Sequence, residues 1–385
     1  MSPEDVPPNI ALLPSGLRDL LPPEAEVEAA TVSKLMETFS AHGYRRVKPP
    51  LIEFEDGLLA GSGAAMTDQT FRIMDPDTHR MMGVRADMTP QVARIAATRM
   101  AGSPRPLRLS YAGQCLRVRG SQIAPDRQVA QVGIELVGVD GPAADAEIVL
   151  VGAEALTAIG MGRMSFDLTL PQLAPTLLDE AGIAGTARAA LIRALDRKDA
   201  AAVAQYGGTL ARLLTDLLLV AGPVGPALEM LDAARLPPAS ATLFARLRQT
   251  VQAILDQTPD VRLTLDPIEF RGFRYHTGVC VTVFAPGRHE ELGRGGRYLS
   301  GDAEPATGLT LYPDAMLRAL RPGPERMRAF LPWGAPRHQG AILREGGYAT
   351  VPALTDDADP VREAARLGCT HILQDGVAVP LTMES

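Results

Sequence analysis

Val84-Arg85-Ala86-Asp87-Met88-Thr89-Pro90-Gln91-Val92-Ala93-Arg94 reads as the end of a strand running into the start of a helix. Threonine before proline marks the boundary. The Thr89 hydroxyl is expected to cap an orphan backbone N–H, and Pro90 loses nothing at the first helical position, where its missing N–H would go unpaired anyway. Arg85 and Asp87 then sit between strand and helix, a common place for side chains that meet a ligand.

Upstream, Pro22-Pro23-Glu24 opens a helix with Glu24, Glu26 and Glu28 near its positive end. Val32, Leu35, Met36 and Phe39 form its apolar stripe, and Gly43 ends it. Tyr44 to Lys48 reads as a short extended segment stopped by Pro49-Pro50, residues 61–66 as a flexible glycine-rich loop, and Gln69 to Met74 as a strand.

Downstream, Leu107, Leu109 and Tyr111 share one strand face, and Arg117 and Arg119 share another. In the next strand Val132, Ile134 and Leu136 alternate with Gln131, Gly133 and Glu135, and a glycine amid polar side chains leaves room for a ligand. Residues 141–160 read as a helix, and residues 171–256, rich in Ala, Leu and Arg, as a helical insertion. Strand patterns return at Val261–Leu265, Val279–Phe284 and Thr307–Leu311, with Gly293-Arg294-Gly295-Gly296-Arg297-Tyr298 as a tight hairpin. Pro322, Gly323, Pro324, Pro332, Gly334 and Pro336 mark a linker. The expected organisation is a main domain over 1–320, a linker over 321–340 and a small C-terminal extension over 341–385.

With 46% hydrophobic and 22% charged residues among 385, the chain has the composition of an ordinary globular protein. A formal net charge of -7 and only 4% aromatic residues argue against a chain built to hold nucleic acid. The cysteines Cys115, Cys280 and Cys369 are too few and too scattered for a disulfide framework or a zinc site, and Cys115 and Cys280 read as small core residues. No signal segment or membrane span is expected, and a reducing cytoplasm fits. There is no P-loop, zinc-protease helix or nucleophile elbow, and no metal or cofactor is expected.

Several segments, in order, resemble motifs of the histidyl-tRNA synthetases, class II aminoacyl-tRNA synthetases. The helix ending at Gly43, with the strand into Pro49, is similar to the dimer-forming first motif. Arg85 to Thr89 resembles the loop whose acid holds the amino group of histidine. Leu116-Arg117-Val118-Arg119 occupies the second motif, whose arginine meets the substrate carboxylate and phosphate. Gln131 to Glu135 is similar to the strand whose glutamine and glutamate reach the amino group and imidazole. Arg271-Gly272-Phe273-Arg274-Tyr275-His276-Thr277-Gly278 resembles the histidine-specific loop, and Gly295 to Tyr298 opens the third motif.

The departures point to a non-catalytic relative. Arg119 stands where the second motif carries the acid that meets adenine, Ala315 where the third motif carries an ATP-clamping arginine, and Arg274 where the histidine-specific loop carries an acid. Phosphoryl chemistry depends on such electrostatic clamps. The C-terminal stretch is also too short for an anticodon-binding domain.

The resemblance is thus closer to the regulatory subunits of short-form ATP phosphoribosyltransferase. It implies an α+β fold of the class II synthetase kind, with a mixed, mainly antiparallel sheet flanked by helices. It further implies no catalysis by this chain, a phosphoribosyltransferase catalytic subunit as partner, histidine as effector and self-association as a dimer. Asp87, Met88, Thr89, Arg117, Gln131, Glu135, Arg271, Tyr275, His276 and Tyr298 are the residues expected to form a histidine-like pocket. An active histidyl-tRNA synthetase and a free amino-acid-binding paralogue are the alternatives.

Overall fold

The computed structural model describes residues 11–120, 124–269, 275–288, 290–301, 303–320 and 326–381, and the chain divides into two compact units, Met1–Leu320 and Arg321–Ser385. In the first unit, helix α1 (Glu24–Ala41) leads to β1 (Arg45–Arg46), β2 (Ile52–Phe54) and the single turn α2 (Glu55–Leu58). Strands β3 (Arg72–Met74) and β4 (Met81–Val84) precede helix α3 (Thr89–Ala97), the long strands β5 (Leu107–Leu116) and β6 (Gln128–Val137), helix α4 (Pro142–Ala158) and β7 (Ser165–Thr169). The helical insertion follows as α5 (Leu173–Glu180), α6 (Gly185–Asp196), α7 (Ala200–Tyr206), α8 (Ala211–Leu219), the two-residue β8 (Gly222–Pro223), α9 (Val224–Ala233) and α10 (Pro238–Gln257). Strands β9 (Arg262–Asp266), β10 (His276–Phe284), β11 (Glu291–Ser300) and β12 (Glu304–Leu311) and helix α11 (Pro313–Leu317) complete the unit.

Nine strands form one sheet in the order β1-β5-β6-β12-β11-β10-β7-β9-β8. It is antiparallel from β5 through β7 and parallel where β1 meets β5 and β7 meets β9. Helices α1 and α4 and the insertion cover one face: Leu35 and Phe39, Ile148 and Leu156, and Leu247 and Ile254 pack in one core with Ile134, Leu168 and Val281. Each buried aliphatic side chain of this kind contributes roughly 1.5–3 kcal/mol, so the stripe on α1 is consumed by the chain's own core. The other face carries Met88, Val92, Leu109, Tyr111 and Tyr298 beneath α3.

Several local expectations change. Residues 61–66 are not a loop but part of a 3-10 helical run, Gly61–Gln69. The stretch 293–298 is not a hairpin but the interior of β11, paired on both sides. Its glycines answer to close neighbours, since a Cβ on Gly295 would lie 2.0 Å from the Gly308 carbonyl oxygen. Thr89 does not cap α3. The Asp87 carboxylate accepts the Thr89 N–H at 3.0 Å, and the threonine hydroxyl is committed elsewhere.

Within the second unit, β13 (Arg328–Leu331), α12 (Arg337–Glu345), β14 (Ala349–Pro352), α13 (Pro360–Arg366), β15 (His371–Gln374) and β16 (Val377–Pro380) form a four-stranded sheet in the order β14-β13-β15-β16. Leu343 of α12 packs on one face with Ala329, Leu331 and Leu373, and Ala364 of α13 on the other with Phe330 and Ile372. Much of the stretch read as a linker therefore belongs to the packed unit, with β13 an inner strand of its sheet. Pro332, Gly334 and Pro336 separate β13 from α12 rather than loosening the chain.

Candidate functional site

Strand register places the candidate pocket. Across the sheet, Leu109, Glu135, Gly308, Gly296 and Cys280 lie side by side on consecutive strands. Two adjacent glycines beside Glu135 leave a furrow in the floor. The closeness is obligatory: a Cβ on Gly308 would lie 1.9 Å from Glu135 Oε2. The flanking rows carry Tyr111, Gly133, Thr310 and Arg294 on one side, and Val137, Ala306, Tyr298 and His276 on the other. The furrow encloses a chamber of about 20 Å³ walled by Glu135, Thr89, Tyr298 and Thr310. It shares Asp87, Tyr275, His276, Arg294 and Tyr312 with an outer cleft of about 500 Å³.

Glu135 is 1% exposed. Its Oε1 accepts hydrogen bonds from the Thr89 hydroxyl at 2.9 Å and the Tyr111 hydroxyl at 3.3 Å, and its Oε2 accepts one from the Tyr298 hydroxyl at 2.9 Å. Burial pushes its carboxyl up to about 8, against the pull of these hydroxyls and with help from the Asp87 charge. The neighbouring His276 imidazole is stacked on Tyr275 with ring centroids 4.3 Å apart. Burial first, and Arg294 second, hold it down to about 3, so it is neutral at physiological pH.

Asp87 is half-buried at the mouth, and its turn is gripped from both sides by residues 49–53. Arg85 donates through Nη1 to the Pro49 carbonyl at 3.1 Å, and its backbone N–H donates to the Leu51 carbonyl at 3.0 Å. Beyond the turn, Gln91 Nε2 donates to the Pro50 carbonyl and to Glu53 Oε1, each at 2.8 Å, and Arg94 makes a two-pronged pair with Glu53. Among the cleft arginines, Arg294 pairs with Glu291 and Arg318 with Glu290, whereas Arg117 and Arg119 form no ion pair among the described residues. A carboxylate at one end and unpaired guanidiniums in the wall suit a zwitterion.

Asp87, Thr89, Glu135, Tyr275, His276 and Tyr298 thus surround one chamber, and Arg117 lines the cleft above it. Met88 and Gln131 stand behind the wall: Gln131 Oε1 accepts the Met88 N–H at 3.0 Å and the Cys115 thiol at 3.2 Å, so it holds the Asp87 turn. Arg271, and Arg274 with it, lies outside the described residues. Nor does the space above Gly133 admit a ligand, because the Tyr111 hydroxyl takes it; a Cβ there would lie 2.4 Å from that oxygen. Arg119 and Ala315, where the catalytic residues of synthetases are expected, both line the cleft.

Sequence reading missed Arg294, Tyr312 and Thr310 in the walls. Arg294 was within reach, since it alternates with Gly296 and Tyr298 along β11. Thr310 and Tyr312 carry no local signal; the fold alone brings them in.

A sequence profile of the histidyl-tRNA synthetase family matches residues 16–316. A protein of Gluconobacter oxydans (strain 621H) named ATP phosphoribosyltransferase regulatory subunit is 52% identical over 374 residues, 97% of this chain and 98% of its own. Its namesake in Paramagnetospirillum magneticum (strain ATCC 700264 / AMB-1) is 53% identical over 371 residues, 96% of this chain and 98% of its own. Among solved structures, an ATP phosphoribosyltransferase regulatory subunit/histidyl-tRNA synthetase from Bacillus halodurans C superposes with a TM-score of 0.79 at 22% identity, over 94% of this chain and 97% of the other. The histidyl-tRNA synthetase of Nostoc sp. PCC 7120 does so with a TM-score of 0.77 at 17% identity, over 94% of this chain and 90% of the other. The α+β class II synthetase-like fold expected from the motifs is the fold these structures share with the chain.

Proposed function

The chain belongs to the histidyl-tRNA synthetase family and, within it, to the ATP phosphoribosyltransferase regulatory subunits, and from that premise we propose that it is the non-catalytic partner of a short ATP phosphoribosyltransferase catalytic subunit. In this reading it acts in the cytoplasm, supports the first step of histidine biosynthesis and transmits feedback by histidine. What carries the reading is similarity at 52% identity over nearly the whole length to proteins of that name. Arg119 and Ala315 in the cleft wall support it, because neither can clamp ATP as a synthetase would.

Histidine would bind as a zwitterion, with its ammonium at Asp87, its carboxylate at Arg117 and its ring above Glu135 between Tyr275, His276 and Tyr298. Feedback then requires that histidine bind the active and inhibited assemblies with different affinity. The test is reconstitution. A catalytic subunit from the same source is expected to co-elute with this chain and to gain activity or histidine sensitivity; no complex and unchanged kinetics would refute the assignment. The purified chain alone should show only background histidine-dependent ATP–pyrophosphate exchange, and robust exchange would instead make it a synthetase.

Self-association through residues 24–50 is part of the same proposal, and the sheet that adjoins them adds an apolar surface. Phe54, Met82 and Ile73 lie in one row across β2, β4 and β3, with Phe54 37% and Ile73 46% exposed. An apolar row of this kind at the surface favours association, and a two-fold dimer covers it with its own copy. Ile73→Asp is expected to turn a micromolar dimer into a monomer in sedimentation, with unchanged circular dichroism. A wild-type monomer at that concentration would count against the dimer.

A further inference from the structure

We infer that Glu135 carries a proton while the pocket is empty and hands it to the imidazole of the bound amino acid, so that the ring is held as an imidazolium against a carboxylate. This rests on the histidine reading above and adds to it a basis for selectivity.

The geometry begins with what surrounds the carboxyl group. Oε1 receives hydrogens from Thr89 and Tyr111, and Oε2 receives one from Tyr298. No guanidinium or ammonium pairs with it among the described residues. Hydroxyls are weak compensation for a fully buried negative charge. Oε2 packs against Gly308, whose missing Cβ makes room for the carboxyl, and both residues line the chamber. The hydroxyls alone would favour a carboxylate, but with burial complete and no cation in reach a carboxylic acid costs less, and it can still donate one O–H.

The groups facing the site from other elements favour the same assignment. Asp87, ahead of α3, raises the cost of a second negative charge. Arg294 on β11 is neutralised by its two-pronged pair with Glu291. His276 on β10 is neutral, and the hydroxyls of Tyr111, Tyr275, Tyr298 and Tyr312 are all raised by burial and carry no charge.

A chamber of about 20 Å³ admits the edge of a ring, one unprotonated nitrogen, while the rest of an imidazole lies between Tyr275, His276 and Tyr298. The Glu135 Oε2–H bond breaks, and the lone pair of the ring nitrogen takes the proton. In the protein that carries the proton, charge moves within the pocket, and none is exchanged with solvent. For separated groups the transfer is uphill by roughly thirtyfold, the ratio between an acid near 8 and an imidazole near 6.5. A charge-assisted hydrogen bond in a buried site, with Asp87 near the new cation, outweighs that ratio. Glutamine, asparagine and the aromatic amino acids have no side-chain base to receive the proton.

The test uses the full chain with ring-labelled [15N]histidine at pH 7.5. Nitrogen NMR of the bound ligand is expected to show both ring nitrogens protonated, although free histidine is mostly neutral there. Calorimetry in phosphate and in Tris should show uptake of no more than about a quarter of a proton, the fraction of Glu135 ionised at pH 7.5, because the rest of the proton stays in the pocket. Glu135→Gln keeps the shape and the neutral charge; it should bind histidine at least tenfold more weakly, with a neutral ring. A neutral ring in the wild-type complex, or uptake of a whole proton from the buffer, would overturn the inference while leaving the histidine site standing. Absence of any binding isotherm would remove the histidine site and the inference together. The wild-type spectrum decides even where the variant fails to fold.

Discussion

Arg297→Ala is expected to cost about 3–5 kcal/mol of folding stability, the usual range for orphaning one side of a buried ion pair. Arg297 is 3% exposed and Asp145 2%. The guanidinium donates to Asp145 Oδ1 at 2.9 Å and to the carbonyls of Val139 and Gly141 at 3.1 and 3.2 Å, and it lies 3.1 Å from Asp140. Without it, Asp145 keeps Arg246 alone as a charged partner among the described residues, at 3.4 Å. Burial already raises the Asp145 carboxyl despite both arginines, so in the variant it is expected to take up a proton rather than stay charged. The loss is a large part of a typical total of roughly 5–15 kcal/mol and should lower the melting temperature by roughly 4–7 °C. Arg297 also sits between Gly296 and Tyr298, so histidine binding should weaken in parallel. Thermal unfolding within 2 °C of wild type would show that the quartet Arg297, Asp145, Arg246 and Asp140 is solvated in a way its burial does not suggest.

The second large effect is the pH dependence of the unliganded protein. An acid whose folded value is raised holds its proton longer in the native state, so stability falls as pH rises from the unfolded value, 4.5, to about 8 at Glu135. His276 works in the opposite sense. Its folded value is lowered from 6.5 to about 3, so its contribution is complete above 6.5 and is lost as pH falls below it. Between 4.5 and 6.5 the two slopes, each about 1.4 kcal/mol per pH unit, offset one another. From 6.5 to 8 Glu135 acts alone, and stability should fall by about 2 kcal/mol. Denaturant titrations across this range are expected to show a shoulder and then a decline. In Glu135→Gln the decline should vanish, while stability below 6.5 falls more steeply with acid because His276 is unopposed. A wild-type curve that is flat between 6.5 and 8 would mean that Glu135 is ionised throughout.

What could be read locally reflects how far each signal reaches along the chain. The stripe Val32, Leu35, Met36 and Phe39 and the alternation around Ile134 report burial directly, because helix and strand geometry turn sequence spacing into a face. Misreadings arose where a residue answers to a distant partner. Thr89 before Pro90 has the local chemistry of a cap, yet its hydroxyl serves Glu135 46 positions later. The glycines of 293–298 have the density of a turn, but they admit neighbouring strands and the site furrow. Pro332 and Gly334 punctuate a linker and a strand–helix junction alike, and only the burial of Ala329 and Phe330 distinguishes them.

The sequence by itself determined the kind of fold, the order of its motifs, the absence of the synthetase's ATP-clamping residues at Arg119 and Ala315, and most side chains of the candidate pocket. These depend on residue type and on spacing within one element, which a linear pattern preserves. Tertiary structure alone decided that Glu135 lies beside Gly308 and Gly296, that Tyr298 from 163 positions away donates to its carboxyl, and that Gln131 supports the Asp87 turn instead of lining the cavity. The physical reason is that pairing register across four strands sets which side chains become neighbours. Burial among those neighbours, more than the residue itself, then sets the charge that Glu135 carries.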